Sequence, residues 1–170
     1  MSIRLRAYGL GVRLETGMAI LGISMILFMS LASPALAGVV PVPWKAQVNK
    51  LNAVANDLGE INRRLNDIYA RVGVEPTPWQ PWCNGVEGEL NGMANQLNAL
   101  YSRVNAVLSA PPDDQRVLDA LRNVRDEAHG VVNIALTVPP DPWRDALDGV
   151  IFGAQSIVDL ANPYLDGIGH

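Results

Sequence analysis

The sequence predicts an all-α protein, an up-down-up-down antiparallel four-helix bundle preceded by a signal peptide. Three observations support this prediction. Four stretches place apolar residues at alternating steps of three and four, which is typical of helices that bury one stripe. Proline-rich breaks separate these stretches, and short connections favour antiparallel neighbours. No segment alternates apolar and polar residues as a half-buried strand does.

The first helix is predicted from Trp44 to Val72. Pro43 suits its first turn, because the N–H that proline lacks would have no partner there. Asn62 falls on the apolar stripe, where a buried asparagine would fix the helix register or the oligomeric state. Gly73 and Pro76 end the helix. The predicted stripe is Val48, Leu51, Ala55, Leu58, Asn62, Leu65, Tyr69 and Val72.

The second helix is predicted to follow a proline-rich elbow at residues 73–85. Asn84 and Glu87 have the spacing of a capping pair at the start of this helix. Residues 109–112 contain two prolines and end it. The predicted stripe is Val86, Leu90, Met93, Leu97, Leu100, Val104 and Val107.

The third and fourth helices are predicted between the remaining proline-rich breaks. Asp113 and Asp114 suit the positive end of the third helix dipole. Asp141 is the predicted N-cap of the fourth helix, which stops before Pro163. The fourth stripe is the weakest, because alanine and glycine bury little area. The two stripes are Val117, Leu121, Val124, Ala128, Val131 and Ala135, then Trp143, Ala146, Val150, Gly153, Ile157 and Leu160.

The N-terminal segment has the pattern of a secretory signal. Three arginines precede an uncharged apolar run from Met18 to Ala32, and Ala35-Leu36-Ala37 supplies a small-x-small cleavage site. We therefore predict a signal peptide at residues 1–37 and a single domain at residues 38–170, secreted or located in the periplasm or cell envelope. The alternative is that residues 17–37 remain as a membrane anchor.

The charge of the chain restricts its partners. Residues 38–170 carry ten basic and sixteen acidic side chains, a net charge of −6. This charge disfavours nucleic acid and anionic lipid, because both are polyanions. We expect contact with a membrane only if the N-terminal segment is retained.

Every tryptophan in the chain follows a proline. The second and fourth helices start at the same end of an up-down-up-down bundle, which brings Trp79, Trp82 and Trp143 near Cys83. An exposed aromatic cluster there would suit a partner or an apolar ligand. The alternative is that each tryptophan only packs its own helix start onto the end of the bundle.

A homodimer is a further hypothesis, based on Asn62 and Cys83. The chain has one cysteine and therefore no internal disulfide. Outside the cytoplasm, a single thiol can form a disulfide with another chain or stay buried and inert. Asn62 can set the register of a second helix from the same chain or from a partner.

The residue pattern predicts no enzyme, no cofactor and no metal site. His129 is predicted to face solvent, and a carboxylate-bridged metal centre in a bundle needs two Glu-x-x-His pairs. The chain has a single Asp126-x-x-His129. No serine has the context of a nucleophile elbow, so we predict no catalytic residue.

The sequence thus predicts a non-catalytic binding or structural module of the cell envelope, acting through a helix face or the tryptophan-rich end on a protein partner or on itself. One alternative is a small carrier of a hydrophobic ligand or haem, for which Ala55, Ala128, Ala146 and Gly153 would leave room. Another is a membrane-anchored assembly or spacer protein that retains residues 17–37. Frequent asparagines on the first two helices either form a polar groove for a glycan or peptide or decorate solvated faces.

Overall fold

The computed structural model describes residues 43–73 and 80–167, and in this part of the chain it contains four helices and no strand. The all-α prediction is confirmed, whereas the signal peptide predicted at residues 1–37 lies outside the described residues. None of the four described helices combines the length and the hydropathy of a membrane span. The helices are α1 (Pro43–Arg71), α2 (Pro81–Leu108), α3 (Gln115–Thr137) and α4 (Arg144–Asp166).

The helices contact one another in the ring order α1, α2, α4, α3. α1 packs against α2 and α3, and α4 packs against the same two helices, whereas α1 does not reach α4 and α2 does not reach α3. The connection at residues 109–114 therefore joins two helices that lie diagonally opposite each other. Six extended residues span up to about 20 Å, which exceeds the diagonal of about 14 Å expected for helices that pack 8–10 Å apart.

α1 and α2 are antiparallel. Arg103 Nη1 lies 2.5 Å from Asp57 Oδ2, and Arg71 Nη2 lies 2.7 Å from Glu89 Oε2, so the paired residues run in opposite orders along the two helices. All four side chains remain partly exposed. Surface ion pairs of this kind contribute only about 0–1 kcal/mol each, so apolar packing holds this seam.

α1 and α3 are parallel neighbours. The Arg116 guanidinium lies 3.6 Å from the centre of the Trp44 ring at the two helix starts. In the middle of the helices, Asn62 Nδ2 donates to Glu127 Oε2 over 2.9 Å and to the Glu127 carbonyl over 3.1 Å. A Cβ atom on Gly130 would lie 3.0 Å from Asn62 Nδ2, so glycine gives the amide its place against α3.

α2 and α4 are also parallel neighbours. Trp143 Nε1 donates to the Cys83 carbonyl over 3.0 Å at the helix starts, and the Tyr164 hydroxyl lies 3.5 Å from the Leu108 carbonyl near the helix ends. Between these points, a Cβ atom on Gly153 would lie only 2.9 Å from Leu97 Cβ. The two helices therefore pack closely at a point where only glycine fits.

These seams change one part of the predicted arrangement. Helix directions alternate along the chain, but two of the four seams join parallel helices, so short connections did not make every neighbour antiparallel. The connection at residues 109–114 is long enough to cross the end of the bundle, and Gly130 and Gly153 favour the two parallel contacts. The number of helices does not depend on this correction.

The predicted stripe of α1 is rotated relative to the observed core. Val54, Ile61 and Ile68 are fully buried, whereas Asn62 is only partly buried and Tyr69 is 51% exposed. The predicted and the observed residues both lie three or four positions from the leucines of α1. The residues with the larger apolar side chains are the ones that pack into the core. The stripes of α2 and α3 are buried at every predicted position, and α4 differs only at the half-buried Leu160.

Two helix starts differ from the prediction. α2 begins at Pro81, so Asn84 lies inside the helix and does not cap it. Proline at the first position sets the helical φ angle without a capping side chain, and Gln80 makes no side-chain cap hydrogen bond. α4 begins at Arg144, with Trp143 rather than Asp141 at the N-cap position.

α4 also continues through Pro163 to Asp166 instead of ending before the proline. Pro163 is exposed and lies in the last turn, where the carbonyl group that loses its helical partner can be hydrated. Leu165 remains buried beyond it, and this packing favours one more turn of helix.

The start of α3 has a charged cap. Asp114 accepts a hydrogen bond of 2.9 Å from the backbone N–H of Arg116 and one of 2.7 Å from its guanidinium. The Arg116 side chain, then its backbone N–H, lowers the pKa of Asp114 to about 2. The lowered pKa keeps this carboxylate charged at the positive end of the helix dipole over a wider range of acidic pH.

We predict that Gly153→Ala lowers the free energy of unfolding by about 1–3 kcal/mol, because the added methyl group overpacks the contact with Leu97. The backbone of α2 or α4 must shift, since Leu97 Cβ cannot rotate away. Gly92→Ala is the matched control on α2, where nothing lies within 4 Å, and it should raise stability by about 0.5–1 kcal/mol. Urea unfolding followed by circular dichroism measures both. Equal effects of the two substitutions would contradict the close packing of α2 and α4.

Candidate functional site

The structure brings three of the four predicted patch residues together at the start of α2 and α4. The rings of Trp82 and Trp143 are 5.7 Å apart at an interplanar angle of 50°. Trp143 is 2% exposed and Cys83 is 3% exposed, whereas Trp82 keeps 40% of its surface in solvent. Trp79 lies outside the described residues.

This arrangement favours a packing role for Trp143. Its ring is buried, and its N–H is occupied by the Cys83 carbonyl. A shallow opening of about 200 Å³ lies beside it, bounded by Asn84, Glu87 and Pro142 as well as by these two residues. Of the described tryptophans at this end, Trp82 is the one whose ring a partner can reach. A disulfide to another chain would require the start of α2 to open, because the Cys83 thiol is buried.

Asn62 makes its contacts within the chain. Its amide N–H group binds Glu127 of α3, and its Oδ1 atom is buried and accepts no hydrogen bond from the described residues. A Cβ atom on Gly130 would lie 3.3 Å from Oδ1, so the Gly130 methylene faces that oxygen. Asn62 therefore sets the register of α1 against α3 and offers no support to the homodimer hypothesis.

The small residues on the stripes bring helices together. Leu97 fills the space beside Gly153. Ala128 is fully buried in the core, Ala146 is 6% exposed, and Ala55 is half-buried at the edge. No polar or charged side chain is buried within residues 43–73 and 80–167. This packing argues against the carrier hypothesis, since a haem or other ligand between the helices would have to displace apolar side chains.

His129 is exposed on α3. Within the described chain, no three His, Cys, Asp or Glu side chains lie close enough together to hold a metal ion. The described helices therefore present no assembled set of metal ligands.

A polar groove of about 600 Å³ lies between α1 and α3. Its two carboxylates already have partners, because Asn62 donates to Glu127 and Arg125 lies 2.9 Å from Asp126. No large apolar side chain lines this groove. Its lining residues are Asn52, Ala55, Asn56, Asn123, Asp126 and Glu127.

A second groove, of about 510 Å³, lies between α2 and α4 and exposes aromatic rings. Phe152 is 73% exposed and Tyr101 is 37% exposed, although phenylalanine is usually buried. Leu160 adds a half-buried apolar surface to the same groove. We call this surface the α2/α4 groove. Its lining residues are Asn98, Tyr101, Phe152, Ser156, Asp159 and Leu160.

The exposed side of α2 has few charges. Its 28 residues include only Glu87, Glu89 and Arg103 as charged residues, and its solvent-facing positions are mostly asparagine, glycine, alanine and serine. A Cβ atom on Gly88 or on Gly92 would have nothing within 4 Å, and each glycine destabilises the helix by roughly 1 kcal/mol relative to alanine. Depletion of lysine and glutamate is typical of the centre of a protein interface.

Charge is divided unevenly between the two parallel pairs of helices. α1 and α3 together carry eight basic and six acidic side chains. α2 and α4 carry two basic residues, Arg103 and Arg144, against six acidic ones. Arg103 is paired with Asp57 of α1, and Arg144 lies 3.6 Å from Asp141 before α4. The α2/α4 side is therefore acidic, and neither arginine neutralises the groove.

The sequence prediction missed Tyr101 and Phe152. Phe152 lies off the predicted stripe of the fourth helix, and an aromatic residue on the solvent side of an amphipathic helix is the one indication that could have been used. Tyr101 follows the buried Leu100 directly, and nothing in the spacing distinguishes it from a residue at the edge of the core. Tyr101 lines the groove only because α2 packs beside α4.

No protein-family model, curated protein or solved structure gives a significant match to this chain. The candidate site is therefore defined by the burial, contacts and charge of its own residues.

We predict that Trp143→Phe lowers the free energy of unfolding by about 1–3 kcal/mol, because the buried hydrogen bond to the Cys83 carbonyl is lost. Trp82→Phe is the matched control, since its ring is partly exposed and the change should remain within about 0.5 kcal/mol. Thermal unfolding followed by circular dichroism compares the two. A larger loss from Trp82→Phe would show that the exposed ring, and not Trp143, holds the helix starts together.

Proposed function

We propose that this protein is a non-catalytic binding module that works outside the cytoplasm and holds a protein partner in the α2/α4 groove. The observation that supports this most directly is the exposure of Phe152 and Tyr101 in one groove. The sequence predicted a module that acts through a helix face or through its tryptophan-rich end. Of these two, we select a helix face, the α2/α4 groove. In this proposal the bundle is released after its N-terminal signal is removed.

The exposed rings give this proposal its energetic basis. Burying a phenylalanine side chain is worth about 1.5–3 kcal/mol, and most of that gain is still available at Phe152. Aromatic residues are enriched where interfaces contribute most to affinity. Tyr101 adds a hydroxyl group that can donate or accept a hydrogen bond at the edge of a contact. A partner that covers both rings removes apolar surface from water without rearranging the core.

The other surfaces are weaker candidates. Trp143 and Cys83 are buried, so the tryptophan end offers mainly Trp82 to a partner. The polar groove between α1 and α3 has no apolar side chain larger than alanine and engages its own carboxylates. The α2/α4 groove alone among these three combines exposed aromatic area with a side of a helix that is nearly free of charge.

Location outside the cytoplasm rests on the pattern of residues 1–37, with positive charge, an apolar run and a small-x-small site. Secretion, a periplasmic location and attachment within the cell envelope are all compatible with that pattern. N-terminal sequencing of the protein recovered from its own cells tests this part separately. A start at Gly38 supports release, and an intact N-terminus would favour the anchored spacer.

Site-specific photocrosslinking tests the binding role. We expect p-benzoylphenylalanine in place of Phe152 to form a discrete adduct with one protein in the cells that produce this chain. The same group in place of Leu136, which is 66% exposed on α3, is the control for accessibility and should give no such adduct. Absence of an adduct at position 152, or the same adduct at both positions, would contradict docking in the groove.

A further inference from the structure

We infer that the α2/α4 groove takes a cationic amphipathic helix of the partner, with an apolar residue placed between two lysine or arginine residues. This inference rests on the proposed function, because it names the chemistry of the segment that would occupy the groove. Charge, spacing and hydrogen-bonding capacity each point to that occupant.

Asp159 lines the groove, and the exposed side of α4 that continues from it carries further unpaired acidic charge. Asp145, Asp148 and Asp159 are exposed on α4, and none of them forms an ion pair with any described residue. Asp159 accepts a hydrogen bond of 2.9 Å from Gln155, which leaves its charge in place. A cationic segment would supply the missing counter-charge, whereas an acidic one would be repelled.

The spacing of the side chains defines the occupant more closely. Asp145, Phe152 and Asp159 follow one another at seven-residue steps, so they lie on the same side of α4 at intervals of about 10 Å. A helix laid along the groove would meet a carboxylate, a phenyl ring and a carboxylate in turn. Basic, apolar and basic residues at matching intervals of about one heptad complement that order.

The opposite edge of the groove, on α2, carries carboxamides beside Tyr101 and no charge. Asn98 lines the groove, Asn91 and Asn105 lie seven residues before and after it on α2, and all three are exposed. Carboxamides can both donate and accept hydrogen bonds, so they tolerate either lysine or the backbone of a bound segment. A basic residue on this edge would have competed with the partner for the acidic side chains, and none of these three positions carries one.

A second copy of this chain is a poorer occupant. In a two-fold contact centred on Phe152, Asp145 of one copy would face Asp159 of the other, and like charges placed opposite each other oppose association. Anionic lipid headgroups and nucleic acids would be repelled by the same carboxylates. A cationic protein segment avoids both penalties.

Peptide titration tests the inference. Three peptides of about three heptads carry leucine along one face and lysine, glutamine or glutamate on the other. Each is titrated into the ¹⁵N-labelled protein, in the form that its own cells produce, and amide chemical shifts are followed. We expect the lysine peptide to bind most tightly, with shifts concentrated at Asn98, Tyr101, Phe152 and Ser156.

Charge-neutralising variants provide the matched comparison. Asp145→Asn with Asp159→Asn should weaken the lysine peptide about five- to tenfold, because two attractive contacts are lost. Asp119→Asn with Asp126→Asn removes the same net charge from α3 and should change the affinity less than about twofold. Phe152→Ser should also weaken binding about tenfold. All these positions are exposed, and an unchanged spectrum away from the substitution shows that each variant is folded.

Three results would overturn the inference. Equal binding of the three peptides in the groove would remove the cationic requirement while leaving the proposed function intact. Equal losses in the two double variants would show that the peptide responds only to net charge. Concentration-dependent shifts at Phe152 without peptide would identify a second copy as the occupant. The photocrosslink at position 152 tests the binding role independently, so failure of the peptides and failure of the function are distinguishable.

Discussion

The contact between Gly153 and Leu97 sets how closely α2 and α4 approach, and the groove depends on it. A side chain at position 153 would meet Leu97 Cβ at 2.9 Å, so the two helices pack at the distance that glycine allows. Phe152 is the preceding residue and lies about 100° away around the helix. The turn that buries the glycine therefore places the ring at the edge of the seam, where it is 73% exposed.

The same close packing leaves the outer faces of the bundle as the candidate binding surfaces. Small residues on the stripes draw the helices together, and apolar side chains fill the space that a ligand would need. Asn62 and Gly130 act similarly between α1 and α3, where a partly buried amide fixes the register. Because the two parallel seams pack the helices closely, the outer faces are the surfaces that a partner can reach. These faces differ in charge and in aromatic side chains. The α1/α3 side carries most of the basic residues, and the α2/α4 side is acidic and aromatic.

Much of this fold follows from the spacing of apolar residues, and the parts that do not have identifiable reasons. The stripes of α2 and α3 were predictable because apolar residues follow at alternating steps of three and four along each helix, and every one of these positions is buried. In α1, leucines at seven-residue steps leave two possible partner sets, and only packing selects Val54, Ile61 and Ile68 over Asn62 and Tyr69. A common start for the second and fourth helices correctly placed Trp82 and Trp143 together, but spacing does not show which ring is buried. The apolar stripe of one helix does not show which other helices pack beside it. The pairing of α2 with α4, and therefore the α2/α4 groove, could not be predicted from the sequence.

A nuclear Overhauser spectrum of the ¹³C-labelled protein tests the close packing of α2 against α4 and the ring order that creates the groove. We expect cross-peaks from the Gly153 α-protons to the β- and methyl protons of Leu97, since these groups are in van der Waals contact. We also expect no backbone contacts between α2 and α3, which lie diagonally opposite each other. Cross-peaks that join α2 to α3, with none between Gly153 and Leu97, would give the bundle a different ring order and remove the groove.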